Sequence, residues 1–86
     1  MLMFPKYRKY EHAKTFYKVE SEKRMIELSV LGSKYREQVI EAKILPDRNF
    51  IMDVIVNEGD FLIEINADEF ERFYQHCLTN YTPANF

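Results

Sequence analysis

The sequence predicts an α+β domain: an antiparallel β-meander of four to five strands with one C-terminal helix packed on one face. Three observations predict it. Apolar and polar residues alternate with period two through several stretches between residues 14 and 66. A single stripe with helical period follows Asn66. And 86 residues, 47% of them hydrophobic, hold one core and leave no room for a second. The division expected along the chain is a basic aromatic N-terminal segment over 1–13, one domain over 14–80 and a tail over 81–86.

The helix is expected at about 67–79. Asn66 is a good N-cap and Glu69 follows three residues on, as in a capping box. Asp68, Glu69 and Glu71 crowd the first turns, where the helix dipole favours anions. Phe70, Phe73, Tyr74, Cys77 and Leu78 form the apolar stripe, Asn80 suits a left-handed stop, and Pro83 bars continuation.

Strands are expected at about 14–20 and 24–31, joined by a turn at Glu20-Ser21-Glu22-Lys23. Two more are expected at 49–57 and 60–66, joined through Asn57-Glu58-Gly59-Asp60 as a hairpin. Residues 34–45 carry both periods. Ile40, Ala42 and Ile44 alternate as in a strand, whereas Tyr35, Val39 and Ala42 suit a helix capped by Ser33. A continuous meander needs no crossover, which favours a strand. The alternative is a second helix there, giving ββαββα. In the first fourteen residues Phe4, Tyr7 and Tyr10 stand at helical spacing among cations, compatible with a short helix or an ordered arm.

The helix stripe is expected to oppose Ile26, Leu28, Val30, Ile40, Ile44, Phe50, Met52, Val54, Phe61 and Ile63. One helix covers only one face of such a sheet. The other face would carry Val39, Leu45, Ile51, Ile55 and Leu62 beside Glu27, Glu41, Asp53 and Glu64. That mixture is too apolar for a solvated face and too charged for a core face. Val39, Leu45, Ile51, Asp53, Ile55, Leu62 and Glu64 are therefore the candidate interaction face. Its cover is expected to be the N-terminal segment, a second copy of the sheet or another protein.

The net charge of −2 conceals an asymmetry: residues 1–24 sum to +4 and residues 25–86 to −6. Lys6, Tyr7, Arg8, Lys9, Tyr10, Lys14 and Tyr17 interleave rings with cations, the pattern by which single-stranded nucleic acid is stacked and neutralised. The plainer reading is that the rings complete a thin core and that the two oppositely charged parts attract each other. The order strand–strand–strand–strand–helix resembles that of purine-rich-element-binding repeats and of whirly-type proteins. The resemblance implies single-stranded nucleic-acid binding by paired repeats; it rests on element order, and no residue is carried over from it.

No catalytic set is legible, and the chain is read as not an enzyme. His76 and Cys77 are adjacent on a helix and point about 100° apart, so they do not converge on a metal or on a reacting atom. His12 beside Glu11 reads as a surface residue. Asp53 and Glu64 would be neighbours across two strands, where paired carboxylates can hold a cation, yet an open sheet seldom offers the dry, concave site this needs. No metal and no cofactor are expected. The lone Cys77 fits a reducing compartment, and no apolar run approaches a membrane span. The location expected is cytoplasmic, without membrane contact. The function expected is a protein-interaction or accessory domain that self-associates as a homodimer through the semi-apolar sheet face. Single-stranded nucleic-acid binding through the N-terminal segment is the alternative.

Overall fold

A computed structural model describes residues 3–11 and 14–84; the position expected for His12 lies outside them. Strands β1 (Lys6–Tyr10), β2 (Thr15–Ser21), β3 (Arg24–Leu31) and β4 (Lys34–Glu41) run as an antiparallel meander. Helix α1 (Leu45–Val56), a 3-10 turn (Glu58–Asp60), β5 (Leu62–Ile65), α2 (Ala67–Asn80) and the short β6 (Thr82–Pro83) follow. The strands form one sheet in the order β5-β1-β2-β3-β4-β6, antiparallel except for the β4–β6 pair. The α+β class, the meander and the C-terminal helix are those expected. Residues 34–41 are strand, as favoured over the helical alternative.

Helix α2 forms for the expected reasons. The Asn66 side chain accepts a hydrogen bond from the Glu69 amide at 2.8 Å, and Phe70 and Cys77 are buried. It runs one residue beyond the expected stop. Asn80 is helical and its side-chain amide donates to the His76 carbonyl, while the extended Tyr81 ends the helix.

Three elements differ from expectation. The stretch 49–57 is not a strand but most of α1. Its β-branched residues favour strand locally, but Pro46 sits in the first turn, and Ile51, Val54 and Ile55 are buried at helical spacing. The Asn57–Asp60 segment is therefore no hairpin; it turns a helix back into β5. The N-terminal stretch read as helix or arm is β1, an interior strand between β5 and β2. Residues 82–83, read as tail, pair with Lys34 and Tyr35 at the sheet edge.

The register shows which face each strand residue takes. Tyr17, Val19 and Met25 pack with Ile51, Val54, Ile55 and Leu62 under α1. Phe16 and Leu28 pack with Phe70 and Cys77 under α2. The sheet is thus covered on both sides, giving three layers. The second cover is α1 of the same chain, a source not among those expected. The single-core expectation is corrected accordingly. Leu28 and Val30 do face α2, but Ile40, Met52 and Val54 pack on the α1 side, and Ile44, Phe50, Phe61 and Ile63 are exposed.

Strand direction also orders the two ends of the sheet. The start of β5, the end of β1, the start of β2, the end of β3 and the start of β4 lie together at one end. Helix α1 leaves the opposite end of β4 and finishes near the start of β5. The C-terminal end of α1 and the β3–β4 turn therefore share one end of the sheet. Four strand steps separate β5 from β4, roughly 15–20 Å at the usual inter-strand spacing.

Candidate interaction surface

The seven residues expected to form one interaction face do not share a face. Ile51 and Ile55 are buried in α1 against the sheet, and Leu62 is buried in β5 beneath them. Leu45 and Asp53 are on α1 and exposed. Val39 is exposed on β4, on the α2 side of the sheet. Glu64 is exposed on β5, opposite Arg8. Asp53 and Glu64, expected to be cross-strand neighbours, belong to different element types. Among the described residues no group of three His, Cys, Asp or Glu side chains is placed to hold a metal ion.

The residues of the basic aromatic segment are placed inside the fold. Tyr7 packs on Phe70 with ring centres 5.5 Å apart, and Tyr10 lies between Tyr17 and Phe61 at 6.0 and 6.2 Å. Tyr17 is buried and meets Phe50 edge-on. Burial, helped by Glu27 and Tyr10, pushes its hydroxyl well above the ordinary tyrosine range. Arg8 is only 7% exposed; its Nη1 donates to the Tyr7 carbonyl at 3.1 Å and lies 3.9 Å from Glu64. Lys9 pairs with Glu69, and Lys14 donates to the Tyr81 hydroxyl at 3.1 Å. Lys6 is half-buried at the start of β1. Rings free to stack bases, and cations free to meet phosphates, are largely used up by these contacts.

What the fold leaves open is the outer side of α1. A helix on a sheet normally turns one apolar stripe inward and a polar face outward. Helix α1 is apolar on more than its inner stripe: Leu45, Phe50 and Val56 are exposed, and the only polar residues after Pro46 are Asp47, Arg48, Asn49 and Asp53. At its C-terminal end Met52, Asp53 and Val56 join Glu58 and Phe61 around an open cleft of about 400 Å³.

Local chain geometry builds this cleft. Asn57 takes a left-handed conformation (φ 52°) that ends α1, its amide donating to the Asp53 carbonyl at 2.9 Å. Its side chain clasps Leu62 in both directions, donating to the carbonyl at 2.7 Å and accepting from the amide at 2.9 Å. Between these two anchors Gly59 and Asp60 also take positive φ (79° and 53°), so the chain doubles back and sets Phe61 beside Val56. Val56 and Phe61 remain 62% and 45% exposed. The lining has two carboxylates and no basic residue, and among the described residues neither Asp53 nor Glu58 makes an ion pair.

No family model, no curated protein and no solved structure matches the chain.

Met52, Val56, Glu58 and Phe61 were not among the sequence-derived candidates. A signal for them existed. From Phe50 to Val56 only Asp53 is polar, more apolar surface than one side of a helix can bury.

Proposed function

We propose that this chain is a non-enzymatic protein-interaction domain whose contact surface is the outer side of α1 together with the cleft at its C-terminal end. The observation that carries this reading is the cleft itself: exposed Val56 and Phe61 line it together with Met52 and the carboxylates of Asp53 and Glu58. A depression lined by apolar side chains together with charged groups can hold an inserted side chain while its charges select the partner. The rest of α1 extends the surface through Leu45 and Phe50. No helix among the described residues is long and apolar enough to cross a membrane, so the exposed apolar residues of α1 are not read as part of a spanning segment.

Photo-cross-linking tests the reading. A benzophenone side chain at Val56 is expected to give discrete protein adducts in cells expressing the protein, and these disappear when Phe61→Lys is added. The same group at Gln75, exposed on α2, is expected to give none. Equal adducts from both positions, or none from position 56, would refute it.

A further inference from the structure

We propose that the occupant of the cleft is a second copy of this chain, which inserts Leu31 of its β3–β4 turn with Lys34 beside the cleft carboxylates. The inference rests on the reading of the cleft as an interaction surface and names its partner.

Three observations carry it. The β3–β4 connection is a two-residue turn with Gly32 at positive φ (63°), and it holds Leu31 and Lys34 directly opposite each other at the tip. Leu31 is 61% exposed, a large aliphatic side chain at the tip of a hairpin whose β4 side is flanked by Thr82 of β6. Lys34 is exposed too, and among the described residues it makes no ion pair. The tip thus presents one aliphatic side chain with one cation, and the cleft presents Met52, Val56 and Phe61 with Asp53 and Glu58. The two are complementary in both polarity and charge.

Position supplies the third observation. The cleft and the tip lie at the same end of the sheet, at opposite sides of it. Leu31 is on the same face as Met25, which packs under α1, because side chains six apart on a strand share a face. A two-fold axis passing between cleft and tip at that end brings each tip to the other copy's cleft, so the same contact is made twice. Such an isologous pair closes on itself and needs no third copy. The separation of roughly 15–20 Å between the two features leaves room for both contacts side by side.

Sedimentation velocity across the micromolar range, at low and moderate salt, tests the proposal. The parent chain is expected to dimerise reversibly and more weakly as salt rises. Leu31→Asp is expected to weaken the dimer roughly tenfold or more, as loss of a buried leucine requires. Lys34→Glu and Glu58→Lys are each expected to weaken it several-fold, and the two together to restore it, which isolates the contact between them. Leu31, Lys34, Val56 and Glu58 are all exposed, so far-ultraviolet circular dichroism spectra matching the parent's are expected to show that the variants fold. Melting temperature does not serve for this, because association itself shifts it. A chain that stays monomeric throughout overturns the proposal. A dimer broken by Val56→Lys but indifferent to Leu31→Asp and to the charge swap also overturns it, while leaving the cleft as the interaction surface with another segment seated in it. A dimer indifferent to Val56→Lys and Leu31→Asp alike overturns both readings.

Discussion

Asn57 concentrates more structural work than any other single residue near the cleft. It ends α1 in a left-handed conformation and fastens the start of β5 with two side-chain hydrogen bonds. Alanine loses both bonds and fits positive φ poorly, so Asn57→Ala is expected to cost about 1–3 kcal/mol in urea unfolding. Glycine keeps the conformation and loses only the clasp, and is expected to cost less. Equal costs would mean that the clasp contributes nothing. Tyr17 gives a second residue-scale prediction. Its hydroxyl titrates higher in the folded chain than in the unfolded one, through burial first and then Glu27. A raised folded pKa means that stability is fully present below the unfolded value near 10 and is lost as the pH rises past it. Tyr17→Phe has no such group, so its alkaline unfolding, followed by circular dichroism, is expected at higher pH than in the parent. An unchanged midpoint would place the sensitivity elsewhere, as at Tyr74, which burial and Glu37 also push up.

At the scale of elements, helix α2 was legible because it has one buried stripe and one wetter side, and the stripe shows in the residue types. Strands β2 and β3 were legible from period-two alternation even though both of their faces are buried, Phe16 and Leu28 on one side and Tyr17, Val19 and Met25 on the other. Helix α1 was not legible. Its residues are apolar nearly all round, and an apolar run carries neither period clearly; β-branched Ile51, Val54 and Ile55 then tip a local reading toward strand. The packing under α1 overrides that preference. Pro46 followed by Asp47 was the available clue, a helix start without a capping side chain. Strand β1 was hidden for another reason. Arg8 is buried and Lys9 is paired with Glu69, so neither face of the strand reads as apolar. The candidate site follows the same pattern: Ile51, Met52 and Ile55 stand on the element whose period is obscured, so a strand reading puts Ile51 and Ile55 on the outer face and Met52 in the core. One comparison separates helix from strand. Val54 and Val56 share a face in a strand but not in a helix. Val54→Ala is expected to cost about 1.5–3 kcal/mol and Val56→Ala under about 0.5 kcal/mol by denaturant unfolding. Equal costs would return residues 49–57 to a strand.

On the scale of the whole molecule, the charge asymmetry turns inward. The basic N-terminal part meets the acidic C-terminal part within the sheet and against α2, through Lys9 with Glu69 and Arg8 near Glu64. Its aromatic rings are shared between the two cores on either side of the sheet. A fluorescence titration with short single-stranded oligonucleotides is therefore expected to show no salt-sensitive binding. Binding at low salt that Lys6→Glu together with Lys9→Glu abolishes would contradict that expectation. With both sheet faces covered in cis, exposed Leu45, Phe50 and Val56 make the outer side of α1 a surface open to a partner. The most direct test of this account is amide hydrogen exchange, comparing the free chain with the complex recovered by cross-linking. The account predicts new protection confined to residues 45–61 and to the segment that docks there, residues 31–34 where the partner is a second copy. New protection across residues 15–31, with none at 45–61, would contradict it.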